Sequence, residues 1–214
     1  MKITADHWLD GAVRVNYPAG PAMDPRRFLV WHFTAGATAM SSIDFWKSGE
    51  AGGAECHLTI DRDGTIYQIR PFNQTCDHAG LSDWIDPNTG KRWTGLNSCS
   101  IGIEFANAGD SARADGTAFT RFPLPAGVKL AKHRLGGPMT NWEVFPEVQL
   151  AAGVAASQAI KTRYNLDDCI GHEDCAYRVK GGVRIYDRKN DPGPLFPMLR
   201  FREACGFTGL PRRG

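Results

Sequence analysis

Residues 54–69, AECHLTIDRDGTIYQI, carry the pattern that decides the fold. Apolar and polar side chains alternate from Ala54 to Ile60, which is the period-two pattern of a strand with one buried face. Asp63 and Gly64 form a dipeptide typical of tight hairpin turns, and a second apolar–polar run follows it. The stretch therefore predicts a β-hairpin that turns at this dipeptide.

Further segments outside the hairpin have the patterns of regular elements. Residues 27–34 (RFLVWHFT) and 100–107 (SIGIEFAN) are compact apolar runs typical of buried strands. Residues 147–164 repeat apolar positions at helical spacing, and residues 41–47 (SSIDFWK) indicate the start of a shorter helix. Because strands and helices alternate, the sequence predicts one α/β domain with a central mixed β-sheet flanked by helices. Residues 108–146, rich in Gly, Pro and charge, are expected to form a long loop that shapes a groove.

The composition fits a globular domain. The chain has 214 residues, of which 42% are hydrophobic and 22% charged, with a net charge of +2. A disordered chain would have fewer apolar residues and a larger net charge, and this charge is too small to indicate nucleic-acid binding. No segment approaches the ~20 apolar residues of a membrane span, and residues 1–20 lack the apolar core of a signal peptide. We therefore expect a cytoplasmic product at synthesis, without membrane insertion, and take a monomer as the default.

Four polar side chains lie in sequence contexts that suggest a role in catalysis or metal binding. His32 ends the first strand, His172 follows an apolar pair in IGHED, Glu104 lies inside an apolar strand, and Asp191 precedes Pro-Gly-Pro. A catalytic zinc ion usually takes three such protein ligands and leaves a fourth position for water. Spacings of 140 and 19 residues form no local zinc motif. Each residue therefore has an alternative interpretation. The two histidines could be hydrogen-bonded core residues, the aspartate could belong to an ordinary turn, and the glutamate could face outward from its strand. His7 and His133 lie in no motif and are expected to be solvated or locally hydrogen-bonded.

Six segments, taken in chain order, resemble one enzyme family. They are VWHFTAG (30–36), CHLTIDRDGTIYQIRPF (56–72), DHAG (77–80), SIGIEFAN (100–107), GHEDC (171–175) and DRKNDPGPLF (187–196). Together they are similar to the zinc-dependent N-acetylmuramoyl-L-alanine amidases, which include peptidoglycan-recognition proteins, phage endolysin amidases and cytosolic muropeptide-recycling amidases. The resemblance covers about residues 28–196. It implies a single amidase catalytic domain over residues 1–214, with no separate cell-wall-binding domain.

The resemblance also implies roles for individual residues. Zn²⁺ would be held by His32, His172 and Asp191. Glu104 would act as the general base, and Lys189 would stabilise the oxyanion. Two further histidines match family positions that contact the substrate or support the cleft: His57 and His78. Some phage members carry a catalytic tyrosine where this chain has Cys56. A mechanism that needs this tyrosine is therefore in doubt, and Glu104 is the favoured catalytic residue.

The implied reaction is hydrolysis of the amide bond between N-acetylmuramic acid and L-alanine, so the expected partner is peptidoglycan or a muropeptide. The long Gly/Pro-rich loops and residues 33–46 look more like phage or prophage amidases, so we predict a bacteriolytic endolysin that acts on the cell wall after release. A cytosolic amidase that recycles anhydro-muropeptides is the first alternative. A non-catalytic peptidoglycan-binding module is the second, although such modules have lost a zinc ligand. A zinc peptidase is disfavoured because the sequence has no HExxH motif.

Overall fold

The computed structural model describes residues 1–212. The strands, in chain order, are β1 (Val13–Arg14), β2 (Phe28–Phe33), β3 (Leu58–Ile60), β4 (Ile66–Gln68), β5 (Asp83–Ile85), β6 (Arg92–Thr94), β7 (Ser100–Phe105), β8 (Val128–Lys132), β9 (Met139–Glu143), β10 (Asp168–Gly171), β11 (Arg178–Lys180) and β12 (Val183–Ile185). The α-helices are α1 (Ala39–Lys47), α2 (Glu147–Arg163), α3 (His172–Cys175) and α4 (Met198–Ala204). Two short 3-10 helices cover Leu96–Ser98 and Gly109–Ser111.

Six of these strands form the central sheet, in the order β1-β4-β3-β7-β2-β10. β3 and β4 pair antiparallel as the expected hairpin, and the other neighbours pair parallel. β2 and β7 lie inside the sheet, where both faces are covered, and most of their residues are accordingly apolar. The predicted α/β fold with a central mixed sheet is therefore confirmed.

Side chains alternate between the two faces of β2, and each face packs against a different layer. Trp31 lies in the cluster covered by α2 and α4, where its indole N–H donates to Ser157 Oγ at 3.1 Å. Val30 points the other way and packs in a separate cluster with Ile170. Because strand side chains have a period of two, His32 shares the face of Val30 and points away from α2.

The register of the sheet brings the polar positions of separate strands to one edge. His32 on β2 is paired with Glu104 on β7, and Glu104 is paired in turn with Thr59 on β3. β10 runs parallel to β2, and His172 follows its last residue directly. Since the carboxyl ends of parallel strands meet at the same edge, these residues lie beside one another there.

Three peripheral hairpins were not expected from the sequence. Residues 108–146, which we predicted to be a long loop, contain the antiparallel pair β8–β9. The strands β5–β6 and β11–β12 form two further pairs. The loop prediction was wrong because β8 is mostly exposed and has no buried apolar face to give a pattern. Among residues 1–212, none of the helices has the length and apolar content needed to cross a membrane.

Candidate metal centre and catalytic cavity

Three buried side chains converge at the carboxyl edge of the sheet. His32 Nδ1 lies 3.0 Å from His172 Nδ1 and 3.0 Å from Asp191 Oδ2. His172 Nδ1 is also 3.0 Å from Asp191 Oδ2, so the three atoms form a nearly equilateral triangle. The group comes from β2, the start of α3 and the loop after β12, and it meets the geometric requirement for a metal site.

The outer nitrogens of the two histidines are held by the protein. His172 Nε2 donates to the Ala79 carbonyl at 3.1 Å. His32 Nε2 lies 3.0 Å from His78 Nδ1, and His78 Nε2 in turn faces the Ser100 carbonyl at 3.3 Å. In the arrangement that satisfies these contacts, each outer nitrogen carries the proton, and both Nδ1 atoms present lone pairs to the centre.

The donor set fits a zinc ion. Burial lowers the pKa of His32 to about 4, with repulsion from His172 adding to the effect. For Asp191, burial acts to raise the pKa, but the proximity of the His172 and His32 rings outweighs it and holds the pKa well below the usual range. A neutral imidazole and an ionised carboxylate are the protonation states that metal binding requires. Two imidazoles and one carboxylate also match the ligands of catalytic zinc.

Glu104 stands beside this triangle on β7. Its side chain lines the cavity, yet its Oε2 atom is buried without a hydrogen-bond partner among the described residues. Burial raises the pKa of this carboxyl well above its ordinary value, and repulsion from Asp191 adds to the rise while Lys189 opposes it. A raised pKa makes a carboxylate a stronger proton acceptor, which is the property a general base needs.

Lys189 lines the same cavity, two residues before Asp191. The residues on either side of it are anchored. Arg188 donates to the Ala79 carbonyl at 2.9 Å, and Asn190 Nδ2 donates to Asp110 Oδ2 at 2.5 Å. The loop is thus fixed on both sides of the lysine, which places one positive charge beside the buried carboxyl groups.

The two remaining predicted histidines occupy different positions. His78 is buried against His32 and borders the cavity, so it supports a ligand and is also near the substrate space. His57 is fully buried, with Nε2 donating to the Gln74 carbonyl at 2.8 Å and Nδ1 accepting from the Gly102 N–H at 3.1 Å. Both of its nitrogens are used by the backbone, which favours a supporting position over substrate contact.

The triangle opens onto a cavity of about 660 Å³. Aromatic side chains form part of its wall: Phe33, Phe45, Trp46 and Phe122. Thr34, Ser41 and Asp77 add polar groups. The cavity therefore offers both ring faces and hydrogen-bonding groups to a ligand that reaches the metal centre.

Arg62, which directly precedes the Asp63-Gly64 turn, anchors the rim of this cavity. Its guanidinium binds the buried Glu143 carboxylate through Nε at 2.6 Å and Nη2 at 2.8 Å. It also donates to the carbonyls of Ala37 and Gly36. Glu143 further accepts the Ala108 N–H at 2.5 Å. The signal for this contact was absent from the local pattern because the two charges are 81 residues apart.

The comparisons with known proteins agree on one family. The family model described as N-acetylmuramoyl-L-alanine amidase matches residues 22–194. In Escherichia coli K12, the N-acetylmuramoyl-L-alanine amidase AmiD is 30% identical over 140 residues, covering 64% of this chain and 37% of AmiD. The 1,6-anhydro-N-acetylmuramyl-L-alanine amidase AmpD of the same organism is 31% identical over 147 residues, covering 68% of this chain and 55% of AmpD. The matched region thus spans about half or less of each of these relatives.

A solved structure extends the likeness to three dimensions. The crystal structure of AmpDH3 from Pseudomonas aeruginosa, in complex with anhydromuramic pentapeptide, superimposes with a TM-score of 0.58 at 25% sequence identity. The match covers 91% of this chain and 66% of that one.

Proposed function

Because the chain belongs to the N-acetylmuramoyl-L-alanine amidase family, whose model covers residues 22–194, we propose that it hydrolyses the amide bond between N-acetylmuramic acid and L-alanine. One observation carries the proposal. Three metal-type ligands, a buried carboxyl group with a raised pKa and a lysine meet at the end of a single cavity. We propose further that residues 1–214 form one catalytic domain, with its core at about residues 28–196.

In this proposal His32, His172 and Asp191 hold Zn²⁺. When bound, the ion supplies Lewis acidity, which polarises the scissile carbonyl and makes water more acidic. The protein contributes the geometry. His172 is oriented by its hydrogen bond to the Ala79 carbonyl, and His32 by its contact with His78. Such outer contacts fix the ring orientation and raise the basicity of the ligand nitrogen.

Glu104 takes the proton from the attacking water and delivers it to the nitrogen of the leaving L-alanine. Its raised pKa supports the first step, because a more basic carboxylate accepts a proton from water more readily. In this proposal Lys189 donates a charged hydrogen bond to the carbonyl oxygen as that oxygen becomes negative. Lysine suits this role because its ammonium group is a compact charge that can be aimed at one oxygen.

We propose a muropeptide or the peptidoglycan polymer as the substrate. The cavity supports this, since it combines aromatic faces, on which sugar rings stack, with polar groups for a peptide. For the biological setting we propose a phage or prophage endolysin, on the resemblance of residues 33–46 and of the long Gly/Pro-rich segments. A recycling amidase is the second candidate, because AmpD is named for 1,6-anhydro substrates and AmpDH3 binds an anhydromuramic pentapeptide.

The test is digestion of purified sacculi and, separately, of a soluble 1,6-anhydro-muropeptide, with mass spectrometry of the products. If the chain is an amidase, the digestion should release free stem peptides that begin at L-alanine. Intact muropeptides with tightly bound protein would instead indicate a binding module, and cuts within the peptide would indicate a peptidase. A higher specific rate on sacculi supports the endolysin, whereas a higher rate on the soluble fragment supports recycling. The variant His172→Ala, which lacks one ligand, serves as the inactive control.

A further inference from the structure

Two buried carboxylates immediately follow His172 in the sequence, and both hold the backbone around the metal centre. Asp174 Oδ2 accepts the Gly171 N–H at 2.7 Å, on the other side of His172. The Glu173 N–H donates to the Asp191 carbonyl at 2.7 Å. Glu173 Oε2 also accepts the N–H of Gly193, two residues after Asp191, at 3.3 Å. The backbone that carries two of the three ligands is thus fixed by these two acidic residues.

Both carboxylates receive their positive partner from the β8–β9 hairpin. Arg134 Nε donates to Glu173 Oε1 at 2.5 Å, and its Nη2 donates to Asp174 Oδ1. His133 lies 2.6 Å from Glu173 Oε2 through Nε2, while its Nδ1 accepts the Leu135 N–H. The Nδ1 contact leaves the proton on Nε2, so His133 donates to Glu173. The expectation that His133 is solvated or only locally bonded was therefore wrong.

The hairpin itself is held in place by contacts other than Arg134. Trp142 packs so closely on Gly193 that an added Cβ would lie 2.7 Å from its ring. Glu143 is bound to Arg62 at the far end of the same strand. The hairpin can therefore present a fixed cation to Glu173, and loss of that cation need not unfold the hairpin.

We propose that Arg134, assisted by His133, is a positioning residue of the metal centre that acts through Glu173 and Asp174; the inference rests on the proposed function only in taking His172 and Asp191 as metal ligands. Without the guanidinium, two adjacent buried carboxylates would lose their shared cation, and removing one partner of a buried ion pair is strongly destabilising. The carboxylates would then move apart or towards water. The backbone N–H groups that they hold would follow, so the two ligand atoms would leave the geometry that zinc requires.

The experiment measures the zinc dissociation constant of the purified full chain by competition with a chromophoric chelator. Arg134→Gln should weaken zinc binding ~10–100-fold, which is the usual effect of removing a supporting partner of a metal ligand. Arg134→Lys keeps the charge but lacks the planar fork that reaches both carboxylates, so it should restore only part of the affinity. Lys132→Gln removes one positive charge from the exposed end of β8 and is the matched control, with wild-type affinity expected.

Each outcome decides the question. Wild-type zinc affinity in folded Arg134→Gln protein would overturn the positioning role, and a loss of equal size in Lys132→Gln would reduce it to a general charge effect. Should Arg134→Gln fail to fold, the Arg134→Lys variant decides, since unchanged affinity there contradicts the proposal and weakened affinity supports it. Failure of the proposed function is separate. It would appear as absence of zinc binding in the wild-type chain, or as zinc binding without amidase products.

Discussion

Replacing Glu104 by glutamine separates the chemical role of this residue from its structural cost. The amide keeps the size of the side chain but cannot accept a proton from water. If Glu104 is the general base, kcat should fall ~10²–10⁴-fold, which corresponds to roughly 3–5 kcal/mol of transition-state stabilisation. Zinc content should stay at the wild-type level, because Glu104 is not among the three converging ligands.

The same substitution should stabilise the metal-free protein at high pH. Burial raises the pKa of Glu104 well above its ordinary value of 4.5. A group with a raised folded-state pKa contributes stability that is complete below its unfolded pKa and is lost as the pH rises through its folded pKa. Each unit by which the pKa rises costs about 1.4 kcal/mol once the group is ionised. Glutamine stays neutral throughout, so Glu104→Gln should unfold at a higher temperature than wild type at pH 8 and at a similar temperature at pH 4.

The assays are steady-state release of stem peptides, zinc content by mass spectrometry, and thermal unfolding after chelation at both pH values. Glu50→Gln, at an exposed position outside the cavity, is the matched control and should change neither rate nor stability. A Glu104→Gln enzyme with a near-wild-type kcat would remove this residue from the mechanism. An unchanged unfolding temperature at pH 8 would show that the pKa of the Glu104 carboxyl group is not raised in the folded, metal-free protein.

Three further predictions concern single residues. Lys189→Met should lower kcat ~10²–10³-fold while zinc content is kept, as for loss of one oxyanion donor; an unchanged kcat would exclude the lysine from the reaction. Burial lowers the pKa of His57 to about 4 from 6.5, so stability should fall as the pH drops from 6.5 to 4, by roughly 3 kcal/mol from this residue. Urea unfolding of His57→Gln should show a correspondingly shallower pH dependence. Gly153→Ala on α2 should destabilise the fold by ~1–3 kcal/mol despite the helix preference of alanine, because the new Cβ would lie 2.5 Å from Phe105; a stabilised variant in urea unfolding would show that the ring can move.

The central strands could be predicted from the sequence because their burial leaves a local signal. β2 and β7 are nearly continuous apolar runs, and the β3–β4 hairpin has alternation together with a turn dipeptide. The peripheral hairpins left no such signal. Both strands of β11–β12 are mostly exposed, so their side chains follow no apolar period. A pattern of buried and exposed residues predicts only those elements that have a buried face.

Only part of the site could be predicted from the sequence. The apolar surroundings of His32 and Glu104 marked them as unusual, but their proximity to His172 depends on β10 pairing with β2, across 140 residues of sequence. The resemblance to the amidase family supplied that grouping, and residue spacing alone did not. The contacts of Arg134 could not be predicted at all, because they depend on a hairpin whose strands gave no pattern.

Metal content and amidase activity, followed together, show most directly whether the chain is a zinc amidase. Purified protein is stripped with a chelator, and zinc is returned in steps while the release of peptides that begin at L-alanine is measured on sacculi. Activity should disappear with the metal and return in proportion to bound zinc, reaching its maximum at one ion per chain. Full activity in metal-free protein, or products cut within the stem peptide, would contradict the proposed function.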